Sequence, residues 1–311
     1  MKISSMIKKV LFGFATLFVM AGSNLYAEEA GAPTAPKISG YADIWTNLSN
    51  SSATKELKTS ANAEVDIEKT VGPVAVRLDV DVTTGGAEIE QAKFVKGFGG
   101  GHASFTGGIF NAPIGFESQD APDKLQFSNG QLFDLVPSNL SGVMFSWWSG
   151  PASVDLYFAN DWNGQPTPQT GFDNSLGGQL KVKAGQFTDI SVGYISSDRD
   201  PGSPKGNDDL VDLVISTGRI KNAVLAVELL KDEINEGVGF TANYKHGQHG
   251  LTFRWDSVEN TPAKSEVTST TLALTCAMDE ALTTVLEWKS TDPGGTAKKT
   301  DMLTLEWVAR F

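Results

Sequence analysis

Cysteine is almost missing from this sequence. Cys276 is the only one in 311 residues, so an internal disulfide is excluded, as is a cysteine-built zinc or iron–sulfur site. Histidine occurs three times, at His102, His246 and His249, which leaves little material for a histidine-rich metal centre. Basic residues are in deficit: 25 Lys and Arg stand against 37 Asp and Glu, a net charge of -12. A general nucleic-acid binder needs the opposite balance to neutralise phosphates. Long apolar runs are also lacking. After residue 27 none approaches the ~18–20 residues of a membrane-spanning helix, and helical periodicity is scarce throughout. The mean hydropathy of -0.15 and hydrophobic content of 40% match an ordinary soluble protein.

The first 27 residues are an address rather than part of a fold. Lys2, Lys8 and Lys9 precede an apolar stretch from Val10 to Ala21, and Leu25-Tyr26-Ala27 leads into Glu28-Glu29. That order predicts a secretory signal peptide cleaved after Ala27. The apolar stretch is short of the ~20 residues of an anchor. No cysteine follows it, so a lipoprotein start is excluded. The predicted mature chain, 28–311, keeps 22 basic and 37 acidic residues, a net charge of -15.

What recurs in the mature chain is alternation with period two, the signature of strands with one apolar face. Between Pro73 and Thr84, Val74, Val76, Leu78, Val80 and Val82 share one face, and Ala75, Arg77, Asp79, Asp81 and Thr83 the other. Leu251, Phe253 and Trp255 oppose Thr252, Arg254 and Asp256. Leu282, Thr284, Leu286 and Trp288 oppose Thr283, Val285, Glu287 and Lys289. Sixteen segments can be placed, at 38–48, 60–69, 73–83, 86–96, 102–110, 141–149, 151–160, 176–184, 188–197, 209–219, 222–232, 237–246, 249–258, 267–277, 280–290 and 300–311. The alternation is faint in 86–96, 209–219 and 267–277, so fourteen strands is the alternative.

The connections carry more information than the strands. Even-numbered ones are short, such as Val71-Gly72, Gly150, Gly185-Gln186 and His246-Gly247-Gln248. Odd-numbered ones are mostly longer: 49–59, 111–140, 161–175, 198–208, 259–266 and 291–299. Turns at one end and loops at the other predict an all-β fold, a single transmembrane antiparallel up-and-down β-barrel over 38–311 after a short N-terminal segment at 28–37. In hydrocarbon every backbone N–H and C=O must be paired within the protein, which a closed sheet achieves without an edge. The apolar face then meets lipid, and the charged face meets water inside. A soluble sandwich would show the same alternation but has no reason to sort its loops by length.

The last segment places Leu303, Leu305, Trp307, Ala309 and Phe311 on one face. Here the chain resembles bacterial outer-membrane barrels, whose final strand commonly ends in an aromatic residue. The resemblance implies that Phe311 is read by the barrel-assembly machinery. Trp148, Trp162, Trp255, Trp288 and Trp307 fall near predicted strand ends, where an interfacial aromatic girdle would lie; ordinary packing would also place them there.

A second resemblance lies in 105–146. The run Phe105-Thr106-Gly107-Gly108-Ile109-Phe110-Asn111-Ala112-Pro113-Ile114-Gly115-Phe116-Glu117-Ser118 is followed by Asp120, Pro122 and Asp123 and by Ser141-Gly142-Val143. It resembles the OmpL-like β-barrel porins of Gram-negative outer membranes. The resemblance implies passive diffusion of ions and small polar solutes, contact with outer-membrane lipid, and no cofactor. Three barrels could associate as a homotrimer.

In general porins, whose strand order this chain resembles, the loop corresponding to 111–140 folds into the barrel and narrows it. That loop carries Glu117, Asp120, Asp123 and Asp134, with Lys124. Strand positions on the water-facing side offer Lys181, Lys183, Lys245, Arg254, Lys289 and Arg310. An acidic loop facing a basic wall would set a transverse field across a pore constriction; a solvated surface loop is the plainer reading. Glu64, Asp66, Glu68, Asp79 and Asp81, with Arg77 among them, would form a negative wall and favour cations.

Two other functions are compatible with such a barrel. A structural or adhesive barrel would bind a partner through its outer loops, yet no predicted loop exceeds about 30 residues. A hydrolase has one feature in its favour, the pair His102-x-Ser104, which resembles the His-x-Ser step of outer-membrane phospholipases. Here His102 follows Gly99-Gly100-Gly101 and no Asn-Gly follows Ser104, so the expectation is no catalysis. His246 and His249 flank a turn without a nearby acid, Cys276 falls on an apolar face, and no metal is expected.

Overall fold

The computed structural model describes residues 35–51, 54–160, 162, 174–197, 209–217 and 220–311. The signal peptide 1–27 and most of segment 28–37 lie outside the described residues, as do most of loops 161–175 and 198–208.

Sixteen strands run β1 Lys37–Ser51, β2 Thr54–Val71, β3 Val74–Thr83, β4 Gly86–Phe98, β5 Ala103–Asn111, β6 Asn139–Ser149, β7 Ala152–Asn160 and β8 Asn174–Ala184. The second half adds β9 Thr188–Ser197, β10 Asp209–Ser216, β11 Ala223–Lys231, β12 Asn235–His246, β13 His249–Asn260, β14 Ser265–Ala277, β15 Leu282–Asp292 and β16 Thr300–Arg310. Each pairs antiparallel with its sequence neighbours, and β16 pairs with β1, so the sheet is a closed barrel. The fourteen-strand alternative falls away. At the seam, the backbones of Gly40 and Phe311 exchange hydrogen bonds of 3.0 and 3.2 Å. A Cβ on Gly40 would lie 2.8 Å from the Phe311 ring, so that approach requires glycine.

Burial is inverted relative to a soluble protein. Glu64 is 2% exposed and Asp79, Asp212 and Glu287 are 0% exposed, whereas Leu272 is 45% and Leu274 55% exposed. Charged groups can be enclosed at tolerable cost only where water or partners meet them, and a belt of exposed leucine and valine is stable against lipid. The low mean hydropathy averages these two faces.

Three expectations change. The loop expected at 49–59 is mostly strand: β1 and β2 stay in register up to Ser51 opposite Thr54. The loop expected at 259–266 shrinks in the same way, because β13 runs to Asn260 and β14 starts at Ser265. The aromatic girdle is also revised. Trp288 and Trp307 are exposed among outward leucines and Trp147 is likewise exposed, while the exposed face of Trp148 is turned the other way. Trp148 lines an interior cavity, and Trp162 is buried in an apolar cluster.

A bulge interrupts β3 and β4 between Asp79 and Val80. Asp79 pairs with Gln91 and Val80 with Ile89, so Glu90 is an extra residue. Both Glu90 and Gln91 are buried, while Ile89 and Phe94, of opposite parity, are both exposed. A bulge shifts the alternation by one residue, which is why this strand reads faintly in the sequence.

The outward face makes a direct prediction. Leu272→Arg, in the middle of β14, should destabilise the barrel by about 2–4 kcal/mol in lipid. Denaturant unfolding in vesicles measures this, and an unchanged midpoint would contradict a lipid-facing Leu272.

Candidate pore constriction

The connection between β5 and β6, residues 112–138, lies inside the barrel. Part of the reason is apolar. The inner wall carries Phe110, Leu140, Tyr157, Ile195, Leu210 and Leu230 facing the lumen, a surface that water would solvate poorly. Ile114, Leu132, Leu135 and Val136 of the loop cover it. Ile114 sits over Gly193 of β9, where a Cβ would come within 2.9 Å of its side chain.

The rest of the reason is polar. A loop away from bulk water must satisfy its own backbone groups, and this one does so on the barrel wall. The Gly115 amide donates to Asp212 at 3.1 Å and the Phe116 amide to Glu228 at 3.2 Å. The Ser128 amide donates to Glu287 at 3.0 Å and the Gln131 amide to Asp256 at 2.9 Å. Loop carbonyls accept in return: Leu125 from the Thr252 hydroxyl at 2.6 Å, Asn129 from Lys289 at 2.8 Å, and Pro122 from Arg310.

Arg254 is the hub of this docking. Its Nη1 donates to Glu117 at 2.7 Å and to the Ser128 carbonyl at 2.5 Å. Its Nη2 donates to the Ser128 hydroxyl, the Asn129 carbonyl and the Thr271 hydroxyl at 3.0–3.1 Å. Glu117 accepts further bonds from Gln126 at 2.8 Å and from the Gly130 amide at 2.5 Å. The planar, always charged guanidinium suits such divergent acceptors. Between the loop and β11–β13 the remaining cavity is about 10 Å³, room for hardly one water.

The opposite arc is open. A cavity of about 430 Å³ is bounded by Lys93, Ser104, Thr106, Ser146, Trp148 and Asp155 on β4–β7, with Phe110, Asn111 and Met144 among its walls. Beside it, β2–β4 carry the acidic residues. Arg77 binds Asp79 through Nε at 2.7 and 2.8 Å, Glu68 at 2.8 Å and Asp66 at 3.2 Å. Gln91 also donates to Asp79, and Lys93 to Gln91 at 2.5 Å. Asp120 reaches toward this wall from the loop. Burial first, then the charge of Asp123, holds its carboxyl above the ordinary aspartate range. Burial pulls the Lys124 ammonium down, against the opposing pull of Glu306 and Asp43.

The structure sorts the expected residues into groups. Glu117 is tied to Arg254 and faces the docking wall, while Asp123 and Asp134 are exposed. Arg254, Lys289 and Arg310 all hold the loop. Lys181, Lys183 and Lys245 are exposed beside the short turns at 185–187 and 247–248, and the loop's anchoring bonds among the described residues do not involve them. The wall under the loop carries both signs of charge: beside Arg254 and Lys289, Asp212, Glu228, Asp256 and Glu287 form much of its seat, because loop amides need acceptors. Those four were not singled out from sequence, nor were Asp43, Glu90 and Glu306. Asp256, Glu287 and Glu306 sit on the polar face of clear alternations, but nothing local marks them as anchors. His102 sits in the turn before β5, while Ser104 faces the open cavity.

Comparison with solved structures finds the same barrel fold in porins. OmpT of Vibrio cholerae superposes with a TM-score of 0.64 at 12% identity, covering 92% of this chain and 100% of that one. The anion-selective porin from Comamonas acidovorans gives 0.63 at 12%, covering 89% and 99%. A mutant of Rh. blastica porin gives 0.61 at 11%, covering 89% and 100%. At such identities the likeness is one of fold. Nothing matches among curated proteins. A family model does match, over residues 38–248, more than half of the sequence. The chain belongs to the family described as "Putative beta-barrel porin-2, OmpL-like".

Proposed function

We propose that this outer-membrane barrel passes ions and small polar solutes by diffusion, through the passage between the inserted loop and the β2–β7 arc, with a preference for cations. The observation that carries the proposal is the one-sided seating of loop 112–138. The loop is bonded closely to β9–β15, and the polar cavity of about 430 Å³ lies on the other side. Among the described residues, Glu64, Asp66, Asp79, Asp81, Glu90 and Asp120 on that side outnumber the nearby cations Arg77, Lys93 and Lys124, so mobile cations would be enriched there. On this reading Ser104 is a polar residue of the cavity wall, beside Thr106 on its own strand and Ser146 on the next. The leader is cleaved after Ala27, and the exposed ring of Phe311 at the seam is available to the assembly machinery.

Conductance and reversal potential in planar bilayers test the reading. The protein should conduct, and a salt gradient should give a potential of the sign expected for cation preference; anion preference would contradict the proposal. Asp120→Asn/Asp123→Asn should reduce that preference. Because Asp120 is held above the usual carboxylate range, it protonates at a higher pH than a free aspartate as pH falls and loses its negative charge. Cation preference should therefore begin to decline above the pH at which free carboxylates titrate, and Asp120→Asn should make that early part of the decline smaller.

Arg254→Met should loosen the loop between Glu117 and Asn129. The change removes the four hydrogen bonds that Arg254 donates to the loop and leaves Glu117 enclosed without its charged partner, a cost of about 3–5 kcal/mol, enough to loosen this part of the loop while its other bonds to the wall hold. The expected result is noisier single-channel current and new trypsin cleavage after Lys124 in the folded barrel. Current as quiet as wild type, with Lys124 still protected, would show that Arg254 is not the anchor.

A further inference from the structure

The carboxylates on β2–β4 are not equally provided for. Arg77 serves Asp66, Glu68 and Asp79. Glu64, Asp81 and Glu90 form a second group in which one carboxylate oxygen from each lies within 4.8 Å of the others, joined to the Arg77 group through Glu64, which is equally near Asp66 and Asp79. Glu64 is 2% and Glu90 4% exposed. Neither oxygen of Glu90 has a hydrogen-bond partner, and one oxygen of Glu64 also has none. No ion pair to any of the three is found among the described residues.

Enclosing an unpaired carboxylate is costly, and enclosing two beside a third more so. The bulge makes this worse by design of the chain: without its extra residue, Glu90 would not join Gln91 on the inside. Bulges commonly re-aim side chains at functional sites. Asp120 from the inserted loop adds its own negative field to Glu64 and Glu90. What the group lacks is a compact positive charge that can accept several oxygens at once.

We propose that Glu64, Asp81 and Glu90 bind a divalent cation, with calcium as the fitting ion, at the side of the passage where the loop meets β2–β4. Calcium takes six to eight oxygens at about 2.3–2.6 Å in flexible geometry, so oxygens on opposite sides of the ion stand up to about 5 Å apart. The spacing here fits within such a sphere, with water filling the remaining positions. A bound ion would neutralise part of the acidic wall, so calcium would lower cation preference as well as bind. The effect on conduction rests on the porin reading; the binding does not.

Calcium titration by calorimetry on the purified, folded full-length barrel in detergent tests the binding directly, with reversal potentials measured in parallel. One saturable site is expected in wild type. Glu90→Gln and, separately, Asp81→Asn should each weaken it by about tenfold or more, since ligand charge sets affinity in such sites. Glu236→Gln, in an exposed pair with Lys231 on β12, should leave it unchanged. Far-UV circular dichroism confirms the barrel in each variant. Absence of saturable calcium binding, or equal affinity in wild type and both ligand variants, overturns the proposal; protons shared among the three carboxylates would then account for their burial. Binding without conductance would defeat the porin reading and leave the site standing. Conductance without binding would do the reverse.

Discussion

The structure depends throughout on one requirement, that a backbone amide or carbonyl removed from water must find a partner. Hydrocarbon enforces it on the strands, and closure of β16 onto β1 meets it with no edge left over. The inserted loop faces the same requirement without a ladder. It meets it with side chains of the wall: carboxylates of β10, β11, β13 and β15 for its amides, and Thr252, Arg254 and Lys289 for its carbonyls. The charges inside this barrel thus have two uses. Some fix the loop, and others face the passage.

That division decides which acidic residues can act on a passing ion. A carboxylate that accepts two or three hydrogen bonds, as Glu117 and Asp256 do, has its field largely answered locally. Those of β2–β4 outnumber their cations and stand beside the open cavity. The electrostatic character of the passage therefore follows from a minority of its charges, and the net composition of the chain is a poor guide to it.

Much of the architecture was legible in the sequence because lipid imposes a simple pattern. Where Val, Leu and Trp alternate with Asp, Arg and Thr, as in β3, β13 and β15, both the strand and its orientation could be read. The faint strands each have a physical cause. In β4 the bulge shifts the phase at Glu90. In β10, Leu210 and Val214 face inward because loop residues cover that wall, so the polar face loses its polarity. In β14 the inward side is largely small hydroxyl residues, Ser269 and Thr271 among them, which contrast weakly with Leu272. The loop's entry into the barrel was legible through resemblance and not through local pattern. Its anchors were not legible at all, since Arg254 and Glu117 are joined only by the closed topology. Trp147 and Trp148 show the same limit: adjacent residues in a strand point opposite ways, and a one-residue misjudgement exchanges lipid for lumen.

The separation in sequence between the loop and its anchors has a consequence in time. Gly115 meets an acceptor 97 residues later, and Asn129 a donor 160 residues later. The β5–β6 connection finds its acceptors and donors only once β10, β13 and β15 are paired into the sheet. Docking of the loop is therefore a late event, waiting on distant strands whose pairing carries a large entropic cost of closure. An incompletely assembled sheet holds this segment loose, and the narrow passage comes into being only as the barrel is completed.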